Sequence, residues 1–198
     1  VAKQKNDILK KIINTIKNNT SNKFIFSKHY NYKKMSNGFL YKDSFGKIEL
    51  PMPNLAGDFQ ISNVTTAIAA VRNLNKFNIS ENHIKKAIIN IKSEGRLQII
   101  TKGKLRKYVS KKNQILIDGA HNPLAATQVR KYLKTLEKGK KIVMVLGMMF
   151  NKEHKKFIKI FKNNINSVVV LDIPNQVNAI KKEKLIKIVK TVSLKTKK

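Results

Sequence analysis

The sequence contains no cysteine, which excludes disulfide bonds and a thiolate nucleophile. It also has no apolar run approaching the roughly 20 residues that a membrane-spanning helix needs. Its first residues do not resemble a signal peptide, because Val1 leads directly into a lysine-rich amphipathic pattern. These absences predict a cytoplasmic location and no membrane partner.

Acidic residues are scarce, with 11 Asp and Glu against 42 Lys and Arg, which gives a formal net charge of +31. Such a charge attracts polyanions, so a basic nucleic-acid-binding accessory protein is one open interpretation. The lysines, however, follow the polar faces of nearly every predicted helix, and no aromatic-basic stacking pattern accompanies them. Lys, Asn and Ile are enriched together, as in AT-rich coding sequences. We therefore expect no specific nucleic-acid partner.

Three familiar site motifs are missing. The sequence has neither the Walker A pattern G-x-x-x-x-G-K-[ST] nor the dinucleotide fingerprint G-x-G-x-x-G. Its four histidines are scattered, with no H-E-x-x-H and no spacing typical of metal ligands. The sequence predicts no metal site among these residues.

The first unit is predicted to span residues 1–93 and to consist of helices and β-hairpins. Strands are expected at 23–27, 38–41 and 47–50, and the turn at 43–46 indicates a hairpin. An amphipathic helix is expected at 6–17, with these residues facing inward: Ile8, Leu9, Ile12, Ile13 and Ile16.

The second unit is predicted to span residues 94–198, where strands and helices alternate. Apolar, β-branched strands are typical of a parallel sheet covered on both faces, so a Rossmann-like α/β unit is expected. The predicted strands are 96–101, 115–118, 142–146 and 167–171. One helix is predicted after Pro123, and two more are predicted at 152–163 and 181–192.

Residues 115–126 form the most informative stretch. Three apolar residues predict a strand, and Asp118 follows them directly. A short loop then carries His121, and Asn122 followed by Pro123 predicts the start of a helix. In open α/β sheets, ligands bind at the edge where strands end. We therefore expect the chemistry of the chain to lie here.

Asn63 and Arg96 are the other polar side chains predicted at element ends, Asn63 at or just inside a helix N-terminus. Taken singly, each has a structural explanation: a helix cap for Asn63, a surface ion pair for Arg96 and a turn for Asp118. Taken together, an amide for a base, a guanidinium for phosphate and a carboxylate for ribose hydroxyls would form a nucleotide site.

Four segments of the chain, 55–63, 95–98, 118–123 and 146–153, form a recognisable set. In order and spacing they resemble the C-terminal half of folylpolyglutamate synthase/dihydrofolate synthase, a group within the Mur ligases. The segment from Asp118 to Pro123 is shared with other Mur-type ligases and does not distinguish among them. The combination of the Gly-Arg-Leu-Gln segment with Gly-Met-Met favours the folate group. A Mur ligase acting on a UDP-linked peptide precursor therefore remains an alternative.

The resemblance implies the end of a P-loop-type ATPase domain followed by a Rossmann-like Mur ligase C-terminal domain, which we expect to be incomplete. It implies an ATP- and Mg²⁺-dependent ligase that activates a carboxylate of dihydropteroate or folate as an acyl phosphate and joins L-glutamate to it. Asn63, Arg96 and Asp118 are implied to contact adenine, phosphate and ribose, and His121 to lie near the incoming glutamate. The precedent of the family is a monomer.

The chain departs from the family pattern mainly by lacking its T-N-G-K-G-S P-loop and the metal-binding residues that follow that loop. Val64 replaces the usual Ala and Asn151 the usual Asp. Without the P-loop, the γ-phosphate has no preorganised set of donors. We therefore expect this 198-residue chain to be inactive as a ligase by itself.

Overall fold

The structure is a computed structural model that describes residues 1–18, 22–74, 76–136, 139–192 and 194–197. The chain divides into two compact units, Val1–Glu94 and Gly95–Lys198. The predicted α/β class is confirmed, because each unit combines helices with a sheet. Within the described ranges, no helix is long and apolar enough to cross a lipid bilayer.

The first unit contains an antiparallel three-stranded sheet, in the order β1-β2-β3, and three helices. Its elements are α1 (Asn6–Thr15), β1 (Asn31–Met35), β2 (Gly38–Asp43), β3 (Gly46–Pro51), α2 (Phe59–Arg72) and α3 (Glu81–Asn90). The predicted hairpin is confirmed: Asp43 pairs with Gly46, whose φ of 118° is easily adopted only by glycine. The core lies between the sheet and the last two helices and contains Phe39, Tyr41, Ile61, Ile68 and Ile84.

Two predictions about the strands and the packing of this unit are wrong. The strand expected at 23–27 is replaced by a single bridge between Phe26 and Tyr30, and the first strand is β1 instead. The helix expected to pack with its apolar face inward is α1, yet it has no buried residue, and Ile8 is 40% exposed. An amphipathic pattern specifies a face but does not supply the surface against which that face packs.

The second unit contains a two-stranded antiparallel ladder and a three-stranded parallel sheet, in the orders β4-β5 and β6-β7-β8. Its elements are β4 (Gln98–Ile99), α4 (Lys104–Lys107), β5 (Leu116–Ile117), α5 (Pro123–Leu133), β6 (Val143–Leu146), α6 (His154–Ile160), β7 (Ser167–Val170), α7 (Lys182–Thr191) and β8 (Lys195–Lys197). The strand expected at 96–101 is thus only two residues long, and it is antiparallel to β5.

One face of the parallel sheet packs on the helices. Leu146, Val168 and Val170 join Phe157 from α6 and Leu185 from α7 in a single core. The expectation of helices on both faces is wrong at β6. Val143 and Val145, which alternate with the core residues of that strand, are 48% and 63% exposed.

Candidate active site

The predicted strand–loop–helix arrangement is present between β5 and α5. Asp118 directly follows the last residue of β5, and α5 begins at Pro123. Asn122 caps this helix, because its Oδ1 accepts a hydrogen bond from the Ala125 N–H at 2.9 Å. This local geometry was predictable from the Asn-Pro dipeptide.

The Asp118 carboxylate joins two segments that are far apart in sequence. Its Oδ2 accepts the N–H of Leu97 at 2.8 Å, and its Oδ1 accepts the N–H of Ala120 at 2.7 Å. A third hydrogen bond runs beside them, from the Gly119 N–H to the Gly95 carbonyl at 2.7 Å. We use the name Asp118 cluster for these residues and Gln98: Gly95, Leu97, Gln98, Asp118, Gly119 and Ala120.

The turn before β4 adopts an unusual backbone conformation. Gly95 and Leu97 have φ values of 66° and 46°, in the left-handed region that leucine rarely adopts. The Gln98 Oε1 accepts the Gly95 N–H at 2.9 Å, and the Leu97 side chain is buried. The turn is therefore fixed from both ends.

Arg96 lies between the two left-handed residues, and its side chain is exposed. Among the residues that the structure describes, its guanidinium has no hydrogen-bond or ion-pair partner, so the surface ion pair considered for it is not formed. An unpaired guanidinium can bind phosphate or carboxylate through two parallel hydrogen bonds.

His121 follows the Asp118 cluster directly and is also exposed. Its Nδ1 lies 2.9 Å from the Gly119 carbonyl oxygen. The structure therefore places three of the four predicted site residues, Arg96, Asp118 and His121, on two backbone segments joined by hydrogen bonds.

Asn63, the fourth predicted site residue, belongs to the first unit. It lies in the second turn of α2, which begins at Phe59, so its expected position at the helix N-terminus is wrong. Its side chain is exposed, and its Nδ2 donates to Gln60 Oε1 at 2.9 Å. Asn63 is therefore not a cap, and its amide oxygen has no partner in the described part of the chain.

An apolar groove lies in the described part of the first unit. It has a volume of about 440 Å³, lies between α2 and α3, and is lined by Val64, Ile68, Ile84 and other apolar side chains. Among the described residues that line it, the one polar side chain is that of His83, whose Nδ1 accepts the N–H of Ser80, the N-cap residue of α3. This lining offers no charged group to a phosphate.

The 146–153 segment, singled out by its resemblance, begins with the last residue of β6 and forms the loop that follows this strand. Phe150 donates its N–H to the Asn178 carbonyl at 2.7 Å, and Met149 forms a bridge with Ala179. The His154 Nε2 bonds to the Met149 carbonyl, and Lys184 lies 4.9 Å from the centre of the Phe150 ring. The loop is thus fixed near the carboxyl end of a parallel strand, where α/β proteins bind ligands.

The sequence reasoning missed Gln98 and the Leu97 amide as parts of the site. The available signals were the resemblance of the 95–98 segment, which contains both residues, and the glycine at position 95, since a glycine before a strand permits a left-handed turn. Nothing in the residue pattern indicated that the Asp118 carboxylate reaches the Leu97 amide, 21 positions earlier in the chain.

The class of this protein follows from the family that its second unit matches. The family model described as the glutamate ligase domain of Mur ligases matches residues 95–197, which is more than half of the chain. The chain belongs to the Mur ligase family.

Within that family the chain is similar to dihydrofolate synthase/folylpolyglutamate synthase of Escherichia coli, with 31% identity over 125 residues that make up 63% of this chain and 26% of the relative. E. coli FolC in complex with ADP superposes with a TM-score of 0.76 and 23% identity, covering 94% of this chain and 41% of FolC. A bifunctional folylpolyglutamate synthase/dihydrofolate synthase from Yersinia pestis, complexed with AMPPNP and Mn, superposes with a TM-score of 0.74 and 19% identity. The match covers 95% of this chain and 42% of that structure's chain. The resemblance inferred from the motifs is confirmed, and the chain spans less than half the length of these relatives.

Proposed function

We propose that this chain is part of an ATP-dependent carboxylate–amine ligase that joins glutamate to dihydropteroate or folate. The observation that carries the proposal is the unpaired Arg96 beside the Asp118 cluster, inside the region that matches a glutamate ligase domain. The relatives named above support a folate-type acceptor over a UDP-linked peptide precursor.

The reaction class sets what the residues must do. The γ-phosphoryl group of ATP is transferred to a substrate carboxylate, and ADP leaves. The amine of glutamate then attacks the acyl carbon, and inorganic phosphate leaves as the amide bond forms. Both steps concentrate negative charge on phosphate oxygens, and cationic groups that are already in place stabilise such charge.

The proposed roles follow from the side-chain chemistry. Arg96 binds phosphate oxygens, and Asp118 accepts ribose hydroxyls with the lone pairs that its two backbone hydrogen bonds leave free. Asn63 contacts adenine through its amide. His121 orients the incoming glutamate beside the acyl phosphate.

ATP is proposed to bind together with Mg²⁺. The described residues contain no group of three or more Asp, Glu and His side chains placed to hold a metal ion. No step of the reaction is therefore assigned to a metal held by this chain. A cytoplasmic location, a monomeric state and the lack of a specific nucleic-acid partner stay predictions from the sequence.

Titration of the ¹⁵N-labelled chain with AMPPNP and then L-glutamate tests the proposal. We expect AMPPNP to shift the amide signals of Arg96 and Asp118, and L-glutamate to shift those around His121. Since a chain of charge +31 binds any polyanion weakly, the matched control is Lys155→Gln, which removes one exposed positive charge from α6. Arg96→Gln should weaken AMPPNP binding by about tenfold, as expected for the loss of a charge-assisted hydrogen bond, and Lys155→Gln should not. Equal effects of the two variants would refute the site.

A further inference from the structure

The Asp118 carboxylate is held by the chain itself before any ligand arrives. Both of its oxygens accept main-chain N–H groups, those of Leu97 and Ala120. Hydrogen bonds to an ionised acceptor are about twice as strong as bonds between neutral groups. The carboxylate is therefore positioned to stabilise the backbone on both sides of it.

The backbone that it stabilises is one that the sequence alone disfavours. A left-handed φ at Leu97 brings Cβ close to a carbonyl oxygen, so this conformation needs support from its surroundings. The Asp118 Oδ2 provides that support at the Leu97 N–H, and the Gln98 Oε1 provides it at the Gly95 N–H. Arg96 is the residue between these two supported positions.

A guanidinium on a free loop loses conformational entropy when it binds an anion, and a fixed backbone reduces that loss. We propose that Asp118 and Gln98 are positioning residues for Arg96: they hold the left-handed turn that presents its guanidinium to an anion. The identification of that anion as the phosphates of ATP rests on the proposed function, whereas the positioning role does not.

Amide hydrogen exchange of the whole chain tests the positioning without any ligand. Asp118→Asn keeps the shape of the side chain but leaves one acceptor oxygen for two N–H donors. We expect exchange at Leu97 or Ala120 to accelerate by on the order of tenfold, as for the loss of one charge-assisted hydrogen bond. The backbone order parameter of Arg96 should fall in the same variant.

The matched control is Asp172→Asn, which alters a carboxylate of the same unit that accepts the Lys182 N–H at 2.9 Å. It should leave Leu97, Ala120 and Arg96 unchanged. At the other end of the turn, Gln98→Met should release the Gly95 amide, and Gln98→Glu, which keeps an Oε acceptor, should restore its protection. If Asp118→Asn alters neither amide exchange nor Arg96 order, the positioning role is wrong.

Binding of two probes then separates positioning from direct contact. Tripolyphosphate has no ribose for Asp118 to contact, and adenosine has no phosphate for Arg96 to bind. If Asp118 acts on phosphate through Arg96, the variants Asp118→Asn and Arg96→Gln both weaken tripolyphosphate binding, and the double variant binds no more weakly than Arg96→Gln alone. Independent effects that multiply in the double variant would contradict the proposal. Failure of both probes to bind would count against the nucleotide site, while the exchange data would still decide the positioning role.

Discussion

The Nδ1 of His121 lies within hydrogen-bond distance, 2.9 Å, of the Gly119 carbonyl oxygen. A carbonyl oxygen can only accept, so Nδ1 must carry the proton, and the lone pair of the neutral ring lies on Nε2. The other three histidines are arranged the opposite way. His29 and His83 accept backbone N–H groups at Nδ1, and the His154 Nε2 bonds to a carbonyl.

We therefore predict that imidazole ¹⁵N spectra at a pH where the rings are neutral will show His121 as the Nδ1–H tautomer and the other three as Nε2–H. Two variants then assign the role of the ring. His121→Asn retains an N–H near the position of Nδ1 but has no acceptor at the position of Nε2, whereas His121→Gln reaches that position. L-Glutamate binding should be weakened more by Asn than by Gln. Finding His121 in the Nε2–H form would remove the basis for this prediction.

The ion pair between Asp43 and Arg72 is expected to stabilise the first unit. The Arg72 Nε lies 2.8 Å from Asp43 Oδ2, and the two side chains are only 12% and 4% exposed. Asp43 also accepts from the Tyr41 hydroxyl and the Phe45 N–H. Replacing Arg72 by Met leaves a buried carboxylate without its cation, which should lower the free energy of unfolding in urea by about 3 kcal/mol.

The matched control is the pair formed by Lys34 and Asp58, which has the same 2.8 Å separation but side chains that are 50% and 78% exposed. Lys34→Met should cost less than about 1 kcal/mol, because exposed ion pairs contribute little. Similar losses for Arg72→Met and Lys34→Met would show that burial does not determine the strength of the first pair.

Tyr41 should make the first unit sensitive to alkaline pH. Burial, reinforced by its hydrogen bond to Asp43, raises the pKa of Tyr41 well above its ordinary value. The folded state therefore keeps this proton at a pH where the unfolded state has lost it. The resulting stability is complete below about pH 10, the ordinary pKa of tyrosine, and is lost as the pH rises above that value.

Urea unfolding of the wild type and Tyr41→Phe across this range isolates the effect of Tyr41, because every other side chain is the same in both proteins. The wild type should lose its stability advantage over Tyr41→Phe as the pH rises above about 10. A constant difference between the two proteins would contradict the raised pKa.

The cap of α5 should have a moderate and specific effect on stability. Asn122→Ala removes the oxygen that accepts the Ala125 N–H and should lower the free energy of unfolding by about 1 kcal/mol. Asn122→Ser, which keeps a capping oxygen, should be nearly neutral. Thermal unfolding followed by circular dichroism distinguishes the two, and equal losses would argue against a capping role.

The parts of the fold that were predictable from sequence have causes that are local in the chain. The hairpin at Asp43 and Gly46 follows from turn chemistry, and the start of α5 follows from Asn122 and Pro123. The first strand was misplaced because pairing with β2 decides which residues become β1, and propensity does not determine a partner.

The candidate site was predictable only in part, because some of its contacts join residues that are distant in the sequence. Asp118 and His121 were found because they follow an apolar strand, but the hydrogen bond from Leu97 to Asp118 joins residues 21 positions apart. The position of Asn63 was misjudged because α2 begins at Phe59, earlier than the apolar pattern indicated. Contacts that are distant in sequence leave no periodic signal to read.

Val143 and Val145 keep a strip of apolar surface in contact with water on a chain whose net charge is +31. Two copies repel one another over about 30 Å in 0.01 M salt but over only about 8 Å at 0.15 M, whereas apolar attraction is not screened in this way. The purified chain should therefore stay dispersed in dilute buffer and cluster as salt is added. Aggregates of the chain with nucleic acid would instead dissolve as salt is added, because salt screens the attraction that holds them together.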